Sequence, residues 1–137
     1  MIVLDTNVIS EVLSPLPSES VINWLAHQDA QEMRLSAITV AEIAYGIALL
    51  HEGARRTALA HAWAAFQDSW RDRILAVGAH EAEAAAAFLA LRRGQGRPVG
   101  LADALIAGTC LSHGLSLATR NTRDFDGSRL HVVNPWG

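Results

Sequence analysis

The sequence predicts an α/β fold, an α/β/α sandwich whose mainly parallel central sheet is flanked by helices. Three observations predict it. Short apolar runs at residues 2–4, 33–38, 74–77, 115–119 and 130–133 alternate with longer helical stretches. Half of the 137 residues are hydrophobic, enough for one domain over residues 1–137 with one buried core. No internal repeat, low-complexity tail or linker divides the chain.

Ile2-Val3-Leu4 is an apolar run bounded by Asp5-Thr6-Asn7, so it reads as a buried strand leading into a helix. That helix carries Val8, Ile9, Val12 and Leu13 and is closed by Pro15 and Pro17. Ser18 is placed to cap a second helix with Val21, Ile22, Trp24 and Leu25 as its apolar positions. Met33 to Ile38 is a second strand, after which Thr39 starts a third helix running to about His51. A long alanine-rich helix covers Gly53 to about Arg73, followed by a short strand from Ile74 to Val77. His80 to about Arg93 is helical again. Gly94, Gly96, Pro98 and Gly100 mark the clearest loop in the chain. Leu101 to Ser112 is a helix with a small-residue face, ended by Gly114. Leu115–Thr119 and Leu130–Val133 complete the strands, the last stopped by Pro135.

Composition narrows the function. Charged residues are only 18%, which excludes a disordered chain, and the net charge of −3 excludes nucleic-acid binding by bulk electrostatics. All eleven basic residues are arginine, the residue that grips phosphate bidentately, although a coding bias explains the same composition. One cysteine, Cys110, excludes an internal disulfide or a cysteine zinc site and reads as a small core residue. The six histidines form no metal motif. The chain runs straight into a strand and has no apolar run long enough to span a bilayer, so no signal peptide and a soluble, cytoplasmic protein are expected.

Four acids carry the strongest functional signal. Asp5, Glu42, Asp103 and Asp124 are far apart in sequence, yet each falls where a strand or loop turns into a helix. In an open parallel sheet the strand ends share one edge, where ligands bind. Carboxylates gathered there repel one another unless a hard divalent cation lies between them. Each acid also has a local explanation. Asp5 suits an N-cap, Thr39-x-x-Glu42 suits a capping box, and Asp103 in a first helical turn gains about 0.3–1 kcal/mol from the helix dipole. Asp124 suits the end of a loop in which Asn121 makes an Asx-turn. The local and metal readings are compatible, because helix N-termini keep carboxylates ionised. Thr6, Asn7, Thr119 and Asn121 accompany the acids as residues that could orient them or line the site.

The chain resembles the PIN-domain ribonucleases, and more closely the VapC-type toxins of type II toxin–antitoxin pairs in the FitB-like branch. The resemblance covers essentially the whole chain. It rests on the N-terminal apolar-Asp-Thr-Asn, on Thr39-x-x-Glu42-Ile43, on Leu101-Ala-Asp-Ala-Leu-Ile-Ala-Gly-Thr109 and on Leu117-Ala-Thr-Arg-Asn-Thr-Arg-Asp-Phe125. It implies a single PIN-like sandwich and makes Asp5, Glu42, Asp103 and Asp124 the catalytic acids, with Asp5 and Asp103 as metal ligands. Asp124 competes with the neutral Asn121 for the fourth place. The implied activity is Mg²⁺-dependent hydrolysis of RNA phosphodiesters, with Mn²⁺ as a possible substitute. Arg92, Arg93, Arg97, Arg120 and Arg123 flank the acids and are candidate contacts to RNA phosphates. The implied partners are a cognate antitoxin, docked on the helical pair around Thr39 to Arg73, and a second copy in a homodimer. Trp63, Phe66 and Trp70 share one helix face there, and are either core or part of such a surface.

Two other classes compete. A phosphatase with an aspartate nucleophile carries a second aspartate two residues on, where this chain has Asn7. A non-catalytic PIN-like scaffold binds RNA or protein without cutting, but degenerate members lose acids and this chain keeps them.

Overall fold

Five parallel strands lie in the order β3-β2-β1-β4-β5, with β1 (Ile2–Leu4) at the centre, in a computed structural model that describes residues 1–137. β2 (Met33–Ser36) and β3 (Ile74–Leu75) extend the sheet to one side. β4 (Ser116–Ala118) and β5 (Val132–Val133) extend it to the other. The chain therefore builds outward from β1, crosses back, and resumes on its far side. The gap between the ends of β1 and β4 is the topological switch point, the crevice in which such sheets bind ligands.

Side-chain alternation on β1 decides what each face holds. Leu4 points into one core with Val8 and Ile9 of α1 (Thr6–Val12), Val21 of α2 (Glu19–Ala26), and Ile43 and Ile47 of α3 (Ala37–Ala48). Trp63 and Trp70, of and just after α4 (Ala54–Ser69), join this core. Their rings stack on Phe66 at 5.9 and 5.1 Å between centroids, so the aromatic stripe belongs to the interior. Val3 points the other way, into a core built by α5 (Ala79–Gly94) and α6 (Leu101–His113). Cys110 is fully buried there, and burial pushes its thiol up to about 12.

Helix α6 approaches α5 closely because Gly108 has no side chain. A Cβ at that position would lie 2.5 Å from the Ala85 backbone nitrogen. Gly114 ends α6 in the left-handed region, φ 66° and ψ 34°, as its place in the sequence predicts.

Two local expectations need correction. The third helix begins at Ala37, not Thr39, and its cap is Ser36, whose hydroxyl accepts from the Ile38 amide at 3.0 Å. The Thr39/Glu42 capping box is therefore absent; Thr39 is already the third residue of the helix and fully buried. Ser18 occupies the N-cap of α2 but its hydroxyl caps nothing; instead the Ser18 amide donates to the Glu11 carboxylate at 2.8 Å.

Candidate functional site

Asp5 sits at the carboxyl end of β1, where the strand turns into α1. Its backbone continues the ladder, donating to the Ala118 carbonyl at 2.9 Å, so the side chain is held at the switch point. One carboxylate oxygen accepts from the Thr6 amide at 2.8 Å, which makes Asp5 the N-cap. The other accepts from the Thr119 hydroxyl at 2.7 Å and more weakly from the Asn7 amide nitrogen at 3.4 Å. Thr119, fully buried at the end of β4, also accepts from the Asn7 side chain and the Asn121 backbone, both at 3.1 Å. Asn7 in turn accepts from the Arg120 amide at 3.2 Å. The polar residues that accompany Asp5 in sequence thus tie the ends of β1 and β4 together across the crevice. The Asn121 side chain makes no cap bond, so the expected Asx-turn is replaced by the Thr119 hydroxyl holding the Asn121 amide.

Glu42 reaches the same edge from α3. Its carboxylate accepts from the Thr6 hydroxyl at 2.7 Å, and Thr6 also contacts the Thr39 hydroxyl at 3.0 Å. With Thr6 donating to Glu42, Thr39 donates to Thr6. The acid predicted to cap a helix is instead tethered to α1. Asp103 enters from the first turn of α6. Asp5, Glu42 and Asp103 line one cleft of about 450 Å³ with Thr6, Asn7, Arg120, Asn121 and Trp136. Trp136 gave no sequence signal beyond following Asn134-Pro135. The turn after β5 brings its ring to the cleft, where the Arg120 guanidinium lies 5.2 Å from its centroid.

The electrostatics record the crowding. Burial, and then the charges of Asp5, Asp124 and Glu42, push the Asp103 carboxyl up to about 6. Asp5 is also raised, chiefly by burial, against the lowering effect of its Thr119 and Thr6 hydrogen bonds; Glu42 and Asp124 raise it further. Asp124 does not line the cleft wall but lies close enough for its charge to act on both acids. All four predicted acids therefore share one electrostatic neighbourhood.

The five candidate arginines part ways. Arg120 lines the cleft, and Arg93 and Arg123 are exposed outside it. Arg97 is bound to the Asp126 carboxylate at 2.6 Å. Arg92 contradicts its expected role as a contact to RNA phosphate. It is 1% exposed, and its guanidinium donates to the carbonyls of Arg123 and Asp126 and to the Gln95 side chain.

No three histidine, cysteine, aspartate or glutamate side chains form a ready-made metal cage. That excludes the closed four-ligand type of site. Two carboxylates on one open cleft, those of Asp5 and Asp103, match the way Mg²⁺ is held, by one or two carboxylates together with waters and a substrate phosphate. Asp5 and Asp103 are the carboxylates that could hold it.

A five-stranded parallel sheet with acids gathered at its switch point is the architecture of a PIN domain. The PIN-domain family model matches residues 2–127, and the chain belongs to this family. Within it, the chain belongs to the VapC and FitB branch. It is 37% identical to the VapC ribonuclease Y4jK of Sinorhizobium fredii over 137 residues, 99% of this chain and 98% of the relative. It is 39% identical to the toxin FitB of Neisseria gonorrhoeae over 137 residues, 99% of both chains. A solved structure of FitAB bound to an IR36 DNA fragment superposes with a TM-score of 0.93 at 38% identity, covering 100% of this chain and 96% of that one.

Proposed function

We propose that the cleft hydrolyses RNA phosphodiester bonds with Mg²⁺, or Mn²⁺ in its place, and that the protein is the toxin of a type II toxin–antitoxin pair. The observation that carries this reading is Asp5, a buried carboxylate oriented from both sides at the switch point, with three more acids acting on the same space. A carboxylate is buried in such company only at a cost, which a bound divalent cation offsets.

In this reading Asp5 and Asp103 hold the cation, with Thr119 and Asn7 fixing the Asp5 carboxylate in one orientation. When bound, the cation would supply charge stabilisation at the phosphate and promote ionisation of water. Glu42, held by Thr6, takes the proton from the attacking water. The water oxygen bonds to phosphorus, the bond to the leaving ribose oxygen breaks, and that oxygen is protonated. Asp124 or Asn121 completes the acidic edge. Arg120 faces the substrate phosphate from the rim. The named relatives, a ribonuclease and a toxin, support the same reading.

A cognate antitoxin would cover the cleft. An apolar groove lined by Leu13, Pro15, Ala58 and Leu59 runs between α1 and α4 and meets the cleft at Ser10. It suits a partner segment docked between α1 and α4, so of the expected helical pair only α4 contributes to this groove. The family resemblance further supports a homodimer and a cytoplasmic site of action. No helix is long and apolar enough to cross a membrane.

The test is to incubate the purified full chain, free of partner, with mixed RNAs in Mg²⁺ or Mn²⁺, against EDTA and against Asp5→Asn. Cleavage should require the metal and disappear in D5N. Cleavage in EDTA, or full activity in D5N, overturns the reading.

A further inference from the structure

Arg92 is a charged side chain almost wholly withdrawn from water, and it is the largest of the fully buried side chains. It lies on the last stretch of α5, among buried residues such as Phe88. One guanidinium nitrogen donates to the Arg123 carbonyl at 2.9 Å, and the other donates to the Asp126 carbonyl. The Asp126 carboxylate lies 3.7 Å away, and the Gln95 side chain accepts at 2.9 Å. Arg92 Nε has no partner at all. Only the arginine of this pair is buried, the Asp126 carboxylate being half exposed, and a buried charge is a costly way to fill a core that an apolar side chain of similar volume often fills as well. An unpaired buried donor makes the arrangement costlier still.

What Arg92 grips is the short turn Thr122–Asp124 and the residues that follow it. The two anchored carbonyls bracket Asp124: the Arg123 carbonyl belongs to the peptide entering Asp124, and the Asp126 carbonyl lies two residues beyond. Between them Phe125 is fully buried, its ring 6.1 Å from that of Phe88 on α5. Gln95 adds a bond to the Gly127 carbonyl at 3.1 Å, and Arg97 holds the Asp126 carboxylate at 2.6 Å. The C-terminal end of α5 thus fixes the backbone on both sides of Asp124, the acid that stands just behind the cleft wall.

We propose that Arg92 is a positioning residue of the acidic cleft: its fork, anchored in α5, holds the Arg123–Asp126 backbone so that Asp124 stays beside Asp5 and Asp103. The proposal rests on the reading of the cleft given above. The planar fork meets the two carbonyls through two separate nitrogens, whereas lysine would have to reach both from its single nitrogen. The arginine that a sequence reading assigns to the substrate instead serves the acid facing it.

The test uses the full chain as wild type, Arg92→Gln, Arg92→Lys, Asp124→Asn and the double variant R92Q/D124N. Two readouts are taken: backbone hydrogen exchange without added metal, and RNA cleavage in Mg²⁺. In R92Q the amides of Asp124, Phe125 and Asp126, which bond to Asn121 and Thr122 carbonyls, should lose protection while those of α6 and β4 keep it. R92K should lie between R92Q and wild type, and serves in place of R92Q if that variant does not fold. Cleavage should fall roughly tenfold in R92Q but less than about twofold further when R92Q is added to D124N, because residues acting as a unit are not additive. An equal drop in both backgrounds overturns the proposal, as does unchanged exchange at Asp124–Asp126. A wild type that cuts no RNA overturns the reading of the cleft; the exchange data then decide whether Arg92 holds the turn.

Discussion

Helix α6 does two opposite jobs along its length. Its body is packed to the limit: Ala104, Ala107 and Cys110 are fully buried, and Gly108 lies against the α5 backbone with no room for a methyl group. Its first turn carries Asp103, whose carboxyl is pushed up to about 6 by burial and then by the other acids. The body is tuned for stability and tolerates no added volume. The tip carries a carboxyl whose charge is disfavoured by burial and by its neighbours, and it would gain by losing that charge. The contrast separates residues that make the fold from residues for which the fold is the support.

The largest effect should appear at the cleft, in activity. Asp5→Asn keeps the shape of the side chain and removes its charge, so RNA cleavage should fall on the order of 100-fold or more. Denaturant unfolding of the same variant in EDTA should show no loss of stability, because the raised Asp5 carboxyl already disfavours its charge. A D5N protein that cuts normally would break the comparison from this side.

Next comes the packed body. Gly108→Ala should destabilise the fold by about 3 kcal/mol, since the added Cβ meets backbone, not a side chain that can turn away. Equilibrium unfolding measures this directly. A near-neutral G108A would show that α5 and α6 can part without penalty.

A smaller effect is expected from pH. The Asp103 carboxyl stands at about 6 in the fold against an ordinary value of 3.8, so the folded chain binds more protons than the unfolded one between those values. The sign follows: in EDTA, stability should rise as pH falls from about 7 to about 4, and the penalty is fully present above 6. Allowing for solvent screening, roughly 1–2 kcal/mol is expected. Asp103→Asn should flatten this dependence. A wild-type curve without the rise would mean that neither burial nor the neighbouring charges act on Asp103. The smallest effect concerns Cys110, whose thiol is buried and raised to about 12. It should resist alkylation in the native protein and react only on unfolding.

The same division explains what the sequence makes legible. The five strands and six helices announce themselves because apolar runs and glycine or proline punctuation are local signals. Asp5 is legible for the same reason, since a carboxylate directly after a buried strand has few structural uses. The start of α3 is not legible: Met33 to Ile38 reads as one apolar run, and only the Ser36–Ile38 hydrogen bond shows where strand becomes helix. The tether from Thr6 to Glu42 joins residues 36 apart, so no local pattern reveals it. Arg92 sits beside a glycine-rich loop and suggests exposure, yet its partners lie up to 34 residues away. Trp136 reaches the cleft only because β5 lies beside β4. What the sequence hides is set by contacts across the sheet edge, and that is also where the acidic cleft is assembled.

The central claim is that the repelling acids are reconciled by a shared divalent cation. It is tested most directly by the unfolding stability of the metal-free chain at pH 7.5, measured while Mn²⁺ is titrated in, for wild type and Asp103→Asn. A ligand that binds only the folded state at one hundred times its Kd adds about 2.7 kcal/mol. The wild type should be stabilised to about this extent, and D103N, stable from the outset, should gain little. Equal stabilisation of both proteins, or none in the wild type, would contradict the account.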